Sequence, residues 1–312
     1  MARVLVTGGA GFIGSHIGQA LVAQGDEVRV LDDLSTGYRR NLDAIGKVDF
    51  HEGSVCDLDA VRRAVDGCDY VFHEAALASV PRSVKDPVAS NAANVGGTLN
   101  VLVAARDAGV KRLVYAASSS AYGDSEVLPK VETMTPAPKS PYAITKLSGE
   151  QYCSVFAQVY GMQTLSIRYF NVFGPRQDPK GAYAAVIPLF VDALLDGRRA
   201  TIHGDGEQSR DFTYIDNVVA ANLAALSAPK LNGEVANVAL GGRITLNELY
   251  TWISEILGID REPVYTEPRV GDVKHSQADI TLAQALLGYS TKVSVREGLE
   301  RTVEWYKGAR SA

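Results

Sequence analysis

The chain has 312 residues, enough for about two structural units of ~150 residues each and for a large hydrophobic core. Its composition, 46% apolar and 21% charged, excludes a disordered protein because enough apolar surface can be buried to offset the entropy of folding. The 31 Lys and Arg residues against 36 Asp and Glu residues give a net charge of −5, which argues against a protein that binds nucleic acid by neutralising many phosphates.

The cysteines and histidines bear on compartment and on metal binding. Cys56, Cys68 and Cys153 form no CxxC pair and have no zinc-ligand spacing with a histidine, so we predict neither disulfides nor a metal site. The opening MARVLVTGG runs directly into a strand-like segment without the features of a signal peptide, and no apolar run reaches the ~20 residues that span a bilayer. We therefore expect a cytoplasmic protein.

The first half of the chain alternates short β-branched runs with amphipathic stretches, a pattern typical of βαβ units and a parallel sheet. The predicted strands are Arg3–Thr7, Val28–Asp32, Val48–Glu52, Tyr70–His73, Arg112–Ala117 and Thr164–Arg168. The predicted helices are Ser15–Gln24, Leu58–Val65, Asn91–Ala108 and Tyr142–Tyr160. Right-handed crossovers then give a doubly wound, Rossmann-type α/β sheet that binds ligands at the carboxyl ends of its strands.

The second half has a different texture. Residues 1–170 are expected to form the sheet domain, whereas residues 171–312, with longer loops rich in Gly and Pro, are expected to form a smaller α/β lobe. A predicted helix over Asp211–Ser227 and a strand over Val235–Leu240 would return to the first sheet. We therefore predict that the two units interleave.

A glycine-rich turn follows the first predicted strand. Gly8, Gly11 and Gly14 form a Gly-x-x-Gly-x-x-Gly motif that opens a helix, and this spacing lets the backbone approach a pyrophosphate at the helix N-terminus. Asp32 ends the second predicted strand, where a carboxylate can accept hydrogen bonds from both adenosine ribose hydroxyls and repel a 2′-phosphate. The pattern predicts an NAD site.

Two nearby features have more than one interpretation. Arg39 and Arg40 would favour NADP, but Asp32 and Asp33 lie closer to the strand end, so we interpret the arginines as part of a solvated loop. Asp57 follows the third predicted strand. It can reach an adenine amino group or cap the next predicted helix, and the two roles are compatible.

Three residues suggest redox proton chemistry. Tyr142 and Lys146 lie four residues apart in a predicted helix and share one face, and Ser118 follows the fifth predicted strand at the cofactor edge of the sheet. A free phenol titrates near ~10, so a base active near pH 7 needs a shift of ~3 units, about 4 kcal/mol. One ammonium about 4 Å away contributes roughly that much at an effective dielectric of ~20. We therefore expect Lys146 to lower the pKa of Tyr142.

Seven motifs distributed over nearly the whole chain carry a family resemblance: TGGAGFIGSH at Thr7–His16, HEAAL at His73–Leu77, SSSAYGD at Ser118–Asp124, SPYAITK at Ser140–Lys146, RYFNVFGPRQ at Arg168–Gln177, SRDFTYIDN at Ser209–Asn217 and RVGDVKHSQAD at Arg269–Asp279. With these motifs the sequence resembles the extended short-chain dehydrogenase/reductases, and among them the nucleotide-sugar 4-epimerases. The resemblance implies an isomerase that oxidises C4 of a UDP-sugar to a transient ketone with tightly bound NAD, then returns the hydride to the other face.

The resemblance also implies roles for individual residues. Tyr142 would take the proton of the sugar 4-hydroxyl, Lys146 would hold the nicotinamide ribose, and Ser118 would hydrogen-bond O4. The implied cofactor contacts are Gly8, Gly11, Phe12, Ile13, Gly14, Asp32, Asp33, Ser35, Thr36, Gly37, Asp57, Ala75, Ala76, Tyr142 and Lys146. The implied UDP-sugar contacts are Ala78, Ser79, Ser119, Ser120, Asn171, Ala185, Val186, Arg210, Arg269, Asp272 and Ser276.

Small residues in these positions bear on the substrate. Ser119 and Ser120 stand where related dehydratases and decarboxylases carry acids, which disfavours chemistry beyond C4; strand-end hydroxyls are the alternative interpretation. Ser276 aligns with a position that is bulky in epimerases restricted to glucose and galactose, so we expect UDP-GlcNAc and UDP-GalNAc to be accepted besides UDP-glucose and UDP-galactose. Ser276 with Asp279 also fits a helix-start box.

Other activities and an assembly state follow from the same comparison. The alternatives are a UDP-glucuronate 4-epimerase, a strict UDP-glucose 4-epimerase and, more remotely, an NAD-sensing module without catalysis. Apolar stripes in Asn91–Ala108 and Tyr142–Tyr160 exceed what one sheet face needs, and the family pairs these helices between two subunits. We expect a homodimer that binds neither nucleic acid nor membrane.

Overall fold

The structure, a computed structural model, describes residues 1–179, 184–268 and 273–311. The strands are β1 (Arg3–Thr7), β2 (Glu27–Asp32), β3 (Asp49–Glu52), β4 (Tyr70–His73), β5 (Arg112–Ser118), β6 (Thr164–Tyr169), β7 (Val172–Phe173), β8 (Thr201–His203), β9 (Ser209–Arg210), β10 (Thr213–Tyr214), β11 (Glu234–Val238), β12 (Ile244–Thr245) and β13 (Val264–Thr266).

The helices lie between and after these strands. They are α1 (Phe12–Ala23), α2 (Arg39–Ile45), α3 (Leu58–Val65), α4 (Val80–Lys85), α5 (Pro87–Asn91), α6 (Gly97–Asp107), α7 (Pro141–Tyr160), α8 (Val186–Leu195), α9 (Ile215–Ser227), α10 (Leu246–Leu257), α11 (Thr281–Leu287) and α12 (Val295–Ser311). A π-helical turn, Ala92–Gly96, joins α5 to α6, and a 3₁₀ turn, Ser119–Tyr122, follows β5.

In the described part of the chain, seven parallel strands form the central sheet, in the order β11-β6-β5-β4-β1-β2-β3. The chain builds outward from β1 to β3 on one side and from β4 to β11 on the other. The direction switches between β1 and β4, where Thr7 pairs with His73. The predicted doubly wound α/β fold is confirmed, and the crevice beyond this switch point is where such sheets bind ligands.

Both faces of the sheet are covered, which explains why its inner strands are apolar on both sides. Val4 and Val6 of β1 belong to one core, whereas Leu5 between them belongs to the core on the opposite face. The first core continues into the C-terminal half, where it takes in Leu249 of α10 and Leu299 of α12.

The second half contributes both to the central sheet and to small separate pairs of strands. β11 pairs in parallel with β6, from Glu234 opposite Leu165 to Val238 opposite Tyr169, so the strand predicted to return does join the first sheet. The remaining short strands form the pairs β10-β7, β12-β9 and β13-β8. None of the helices in the described ranges has the length and apolarity to cross a membrane.

Several predicted boundaries are wrong in detail. α1 begins at Phe12, before the predicted start, because the glycine turn already closes with a hydrogen bond from Gly11 N to Gly8 O of 3.0 Å. The predicted helix Asn91–Ala108 contains the π-helical turn in its first part. β5 runs one residue further than predicted, so Ser118 is its last residue rather than the first residue after it.

Candidate active site

The glycine turn places the start of α1 at the switch point. Gly8 has φ +71°, and a Cβ there would lie 2.6 Å from Ala75 N; a Cβ on Gly14 would lie 2.4 Å from Gly8 O. No described side chain caps the N-terminus of α1, and its first turn carries no acidic residue. The backbone N–H groups of this turn therefore suit a diphosphate, whose charge the helix dipole stabilises.

Two carboxylates follow β2 on the other side of this turn. Asp32 accepts hydrogen bonds from Ala10 N at 2.9 Å and Leu34 N at 2.8 Å, one on each oxygen. Burial raises the pKa of Asp32, while burial of Asp33 is outweighed by hydrogen bonds from Ser35 and Ser54 that lower its pKa. At the end of β2 both carboxylates occupy the position from which the sequence predicts a contact with the ribose diol and repulsion of a 2′-phosphate.

The two arginines considered for NADP turn away from the carboxylates. Arg39 forms an ion pair with Glu52, and the guanidinium of Arg40 lies 4.2 Å from the centroid of the Tyr38 ring. Neither lines the cavity described next. Both residues are exposed, but they form the start of α2, so the prediction that they lie in a loop is wrong.

A cavity of about 320 Å³ runs from the glycine turn to Tyr142 and Lys146. It brings together these residues, all proposed from the sequence: Gly8, Gly11, Phe12, Ile13, Gly14, Asp32, Asp33, Ser35, Thr36, Ala75, Ala76, Ala78, Tyr142 and Lys146. Its wall also contains residues that the sequence reasoning missed: Leu31, Gly53, Ser54, Val55, Glu74, Leu77, Ala93, Ala116, Ala117 and Tyr169. The cavity thus joins the glycine turn, which suits a diphosphate, to the predicted catalytic pair.

Two of the proposed cofactor contacts do not line this cavity. Gly37 packs on the glycine turn, since a Cβ there would lie 2.9 Å from the Ala10 backbone. Asp57 caps α3 by accepting hydrogen bonds from Asp59 N at 2.9 Å and Ala60 N at 3.2 Å. Asp57 therefore caps α3, which is one of the two roles predicted for it.

The N-terminus of α7 holds the predicted catalytic pair. Ser140 caps the helix by accepting from Ala143 N at 3.1 Å, which sets Tyr142 and Lys146 one turn apart on the cavity face. Lys146 Nζ donates to Ala116 O at 2.7 Å and lies 4.9 Å from the centroid of the Tyr115 ring. Burial lowers the pKa of Lys146 to about 8, and the ionised form of Glu74 opposes this shift.

The expected lowering of the Tyr142 pKa by Lys146 is not seen in this structure. Burial raises the pKa of Tyr142 above its ordinary value, and the group that lowers it is the hydroxyl of Ser118 through a hydrogen bond. The ammonium of Lys146 is instead directed to the carbonyl oxygen at the end of β5. Sequence spacing placed the two residues on one face but could not show where the ammonium would be aimed.

Ser118 is oriented by its neighbours in the 3₁₀ turn. Its Oγ accepts from Ser120 N at 3.2 Å and from Ser120 Oγ at 2.9 Å. Because both contacts use lone pairs of Ser118, its own proton is available for the oxygen of Tyr142. Ser119 and Ser120 are both partly buried at this strand end, and neither lines the cavity.

A second cavity, of about 450 Å³, lies in the C-terminal half. Asn171, Ala185, Val186 and Arg210, all proposed substrate contacts, line it. Ser79 is placed differently, because it caps α4 by accepting from Arg82 N at 3.2 Å. Two further proposed contacts, Arg269 and Asp272, lie outside the described residues.

Ser276 lies beside this second cavity and does not start a helix. Its Oγ is 3.3 Å from Asn171 Nδ2, and its backbone N–H donates to Ser209 O at 3.0 Å. α11 begins only at Thr281, whose N–H donates to Asp279 Oδ1. The helix-start interpretation of Ser276 is therefore wrong, and its hydroxyl instead touches a proposed substrate contact.

His73 has its hydrogen-bond partners within the fold. His73 is fully buried between Thr7 Oγ1 at 2.7 Å and Thr98 Oγ1 at 2.9 Å, and burial lowers its pKa to about 3. Among the described residues, no group of three or more His, Cys, Asp or Glu side chains is arranged to hold a metal ion.

Comparison with known proteins places the chain in a family. Residues 4–239 match the NAD dependent epimerase/dehydratase family. The UDP-glucose 4-epimerase of Mycolicibacterium smegmatis is 40% identical over 310 residues, which cover 98% of each chain.

Solved structures are similar over almost the full length. The UDP-glucose 4-epimerase of Thermotoga maritima with UDP-glucose is 43% identical with a TM-score of 0.95, covering 99% of both chains. The UDP-N-acetylglucosamine 4-epimerase of Methanobrevibacter ruminantium in complex with UDP-N-acetylmuramic acid is 40% identical with a TM-score of 0.95, again over 99% of both. The UDP-glucose 4-epimerase of Thermus thermophilus in complex with NAD is 40% identical with a TM-score of 0.90, over 98% of this chain and 99% of that one.

The chain belongs to the NAD dependent epimerase/dehydratase family. Within it, the class of enzyme predicted from the sequence, an NAD-dependent UDP-sugar 4-epimerase, is confirmed, and so is NAD as the cofactor.

Proposed function

We propose that the chain interconverts UDP-GlcNAc and UDP-GalNAc, and also UDP-glucose and UDP-galactose, by inverting C4 through a transient 4-keto sugar. The observation that carries the proposal is that Tyr142 and Lys146 line one end of a cavity whose other end is the glycine turn, with the Ser118 hydroxyl hydrogen-bonded to Tyr142. A carbinol C–H at C4 is not acidic, so inversion there requires oxidation and reduction. Bound NAD supplies the hydride acceptor and donor for this chemistry.

Tyr142 is the proposed base and acid. Its phenol takes the proton of the 4-hydroxyl as C4 is oxidised and returns it after the keto sugar has turned over. Ser118 donates a hydrogen bond toward this oxygen, since Ser120 occupies the lone pairs of Ser118. Positioned proton transfer of this kind contributes ~10²–10⁴-fold to a rate.

Lys146 has the proposed role of a fixed cation at the same end of the cavity. It is buried, and its Nζ is anchored at 2.7 Å from Ala116 O, so its charge cannot move away into solvent. We propose that it holds the nicotinamide ribose.

The preference for N-acetylated sugars is proposed from the size of the side chains near the substrate. Ser276 contacts Asn171, and Ala185 and Ala78 line the two cavities. Small side chains at these places leave room for a 2-acetamido group. The similar enzymes named for UDP-glucose and for UDP-N-acetylglucosamine support activity on both kinds of sugar.

The test is to incubate the purified protein with UDP-GlcNAc alone and follow the C4 epimer by proton NMR. Parallel incubations contain UDP-glucose or UDP-glucuronate at the same concentration. Formation of UDP-GalNAc at least as fast as that of UDP-galactose supports the proposal. Turnover of UDP-glucuronate alone would assign the site to uronic acids, and turnover of UDP-glucose alone would make the enzyme a strict glucose epimerase.

We also propose that two copies associate through α7. Ile144, Val155 and Val159 lie on one face of this helix and are exposed by 54%, 47% and 65%. These positions share one face of the helix, which also carries the polar Ser148 and Gln151 between Ile144 and Val155. A second copy is the proposed occupant because the resemblance to the nucleotide-sugar 4-epimerases implies pairing of this helix between two subunits, where a self-complementary face packs on itself.

A further inference from the structure

A buried hydrogen-bond chain next to Lys146 plays no part in the mechanism above. Tyr169 Oη lies 2.9 Å from Glu74 Oε1 and 3.0 Å from Asn222 Oδ1. The orientation of the Asn222 amide is determined, because its Nδ2 donates to Val218 O at 2.8 Å and a flipped amide would place two oxygens against each other. Tyr169 therefore has two oxygen neighbours.

Proton counting at Tyr169 bears on the state of Glu74. A phenol carries a single proton, so Tyr169 can donate to Glu74 Oε1 or to Asn222 Oδ1 but not to both. An ionised Glu74 would take that proton and leave the buried Asn222 Oδ1 without a donor. A protonated Glu74 donates to Tyr169, which then donates to Asn222, and both contacts are hydrogen bonds. The geometry thus favours a neutral carboxylic acid.

The position of Glu74 connects this acid to the cavity. Its side chain lines the cavity together with Tyr142 and Lys146, and the part that is not enclosed by protein faces that space. The ionisable groups that act on it are Tyr169 of β6 and Lys146 of α7, while the adjacent His73 stays neutral. Burial raises the pKa of Glu74 to about 7, so its ionisation is sensitive to one added charge near neutral pH.

We propose that Glu74 is the titratable counter-charge of the cavity: it is neutral beside Lys146 alone and ionises when the cationic nicotinamide ring of NAD⁺ binds there. Binding of NAD⁺ then releases the Glu74 proton to solvent, and the freed carboxylate accepts the hydrogen bond of Tyr169. NADH, whose ring is uncharged, leaves the acid protonated. NAD⁺ and NADH share the diphosphate, so the difference between their binding affinities reports the effect of the ring charge.

The inference relies on the proposed function in one respect, namely that the ring lies at the Tyr142 end of the cavity. Bringing a second cation close to the buried Lys146 raises the electrostatic cost of a neutral Glu74, because such charges are poorly screened away from water. A carboxylate at this point makes Glu74 a positioning residue that favours the oxidised cofactor. It touches neither the sugar nor the proton of the 4-hydroxyl.

The experiment measures cofactor preference without any sugar. The protein is equilibrated with mixtures of NAD⁺ and NADH at pH values from about 5.5 to 8.5, and bound NADH is quantified by its absorbance after gel filtration. Higher pH ionises Glu74 and stabilises the NAD⁺ complex, so the preference for NAD⁺ over NADH should rise by up to about tenfold per pH unit around neutrality. In Glu74→Gln the preference should be independent of pH.

Two further variants make the result specific. Tyr169→Phe removes the group that donates to the carboxylate, so the rise should persist but move to higher pH. Glu255→Gln, at an exposed ion pair on α10, should behave as the native protein. The same pH dependence in Glu74→Gln as in the native protein, or none in the native protein, would overturn the proposal.

A second measurement applies where the bound cofactor does not exchange with cofactor in solution. The bound NAD⁺ is reduced in place with borohydride, and infrared difference spectra are recorded before and after. The native protein should gain the C=O stretching band of a protonated carboxylic acid, and Glu74→Gln should not. Absence of the band from the native spectrum contradicts the inference, whereas loss of epimerase activity in a sugar assay has no bearing on it.

Discussion

The phenolic oxygen of Tyr142 is the atom on which the proposed chemistry depends. Tyr142→Phe removes this oxygen and leaves the ring that lines the cavity, so NAD should remain bound while epimerisation falls by about 10²–10⁴-fold or more. Turnover is followed by NMR, and bound NAD by its absorbance after denaturation of the protein. Tyr152→Phe, on the same helix but packed in the core next to the sheet, is the matched control and should retain turnover. Near-normal activity of Tyr142→Phe would reject the assignment.

The Ser276 side chain is predicted to determine which sugars fit. Ser276→Tyr places a large ring beside Asn171, so kcat/KM for UDP-GlcNAc should fall at least about tenfold more than kcat/KM for UDP-glucose. Ser227→Tyr, at the exposed end of α9, should change neither value. Equal losses on both sugars in Ser276→Tyr would show that the residue does not act as a size filter.

At the residue scale, site residues can be predicted from the sequence where the chemistry requires a fixed spacing between them. Gly8, Gly14 and Asp32 were predicted because a diphosphate and a ribose impose fixed demands on a strand, a turn and a helix. Glu74 and Tyr169 were missed. Glu74 is a single acid at the end of an apolar strand, and no second polar residue at a regular spacing marks it as part of a site. The sequence shows Glu74 only as a charged residue within the motif HEAAL, and the structure adds that Tyr169 lies beside it.

At the scale of elements, the junction between the glycine turn and α1 leaves no room for a side chain. Gly14→Ala would put Cβ 2.4 Å from the backbone oxygen of Gly8, and overpacking of this kind costs about 1–3 kcal/mol. We expect NAD affinity to fall about tenfold or more, measured by calorimetric titration, with a lower Tm.

Gly18 provides the control within the same helix. A Cβ there would meet the flexible end of Ile45 at 3.1 Å, and alanine favours a helix by about 1 kcal/mol over glycine. Gly18→Ala should therefore keep native NAD affinity. Equal loss in the two variants would indicate a general weakening of α1 rather than a clash in the turn.

The regularity of an element determined how well it could be predicted. Inner strands of the central sheet such as β1 and β5 were identified because strands buried on both faces read as continuous apolar runs. The two-residue strands β7, β9, β10 and β12 were not, because two residues show no periodicity. The π-helical turn at Ala92–Gly96 also escaped prediction, since its apolar pattern matches that of the α-helix around it.

At the scale of the whole molecule, the exposed stripe on α7 predicts an assembly. Light scattering should give the mass of two chains, and Val155→Arg should reduce it to one because an unpaired charge would be buried in the contact. Val127→Arg changes an equally apolar, exposed residue away from α7 and should leave the mass unchanged. A native mass of one chain at micromolar concentration contradicts the proposed dimer.

The parallel pairing of β11 with β6 has a consequence for engineering the protein. β6 and β11 are separated by more than sixty residues in the chain, yet β11 covers an edge that would otherwise present the unpaired backbone of β6 to other chains. We therefore expect a cut near residue 170 to yield an aggregating fragment instead of an independent cofactor-binding domain. Hybrids between relatives with different sugar preferences should be made by exchanging loops within an intact chain, because β11 of the second half completes the sheet of the first.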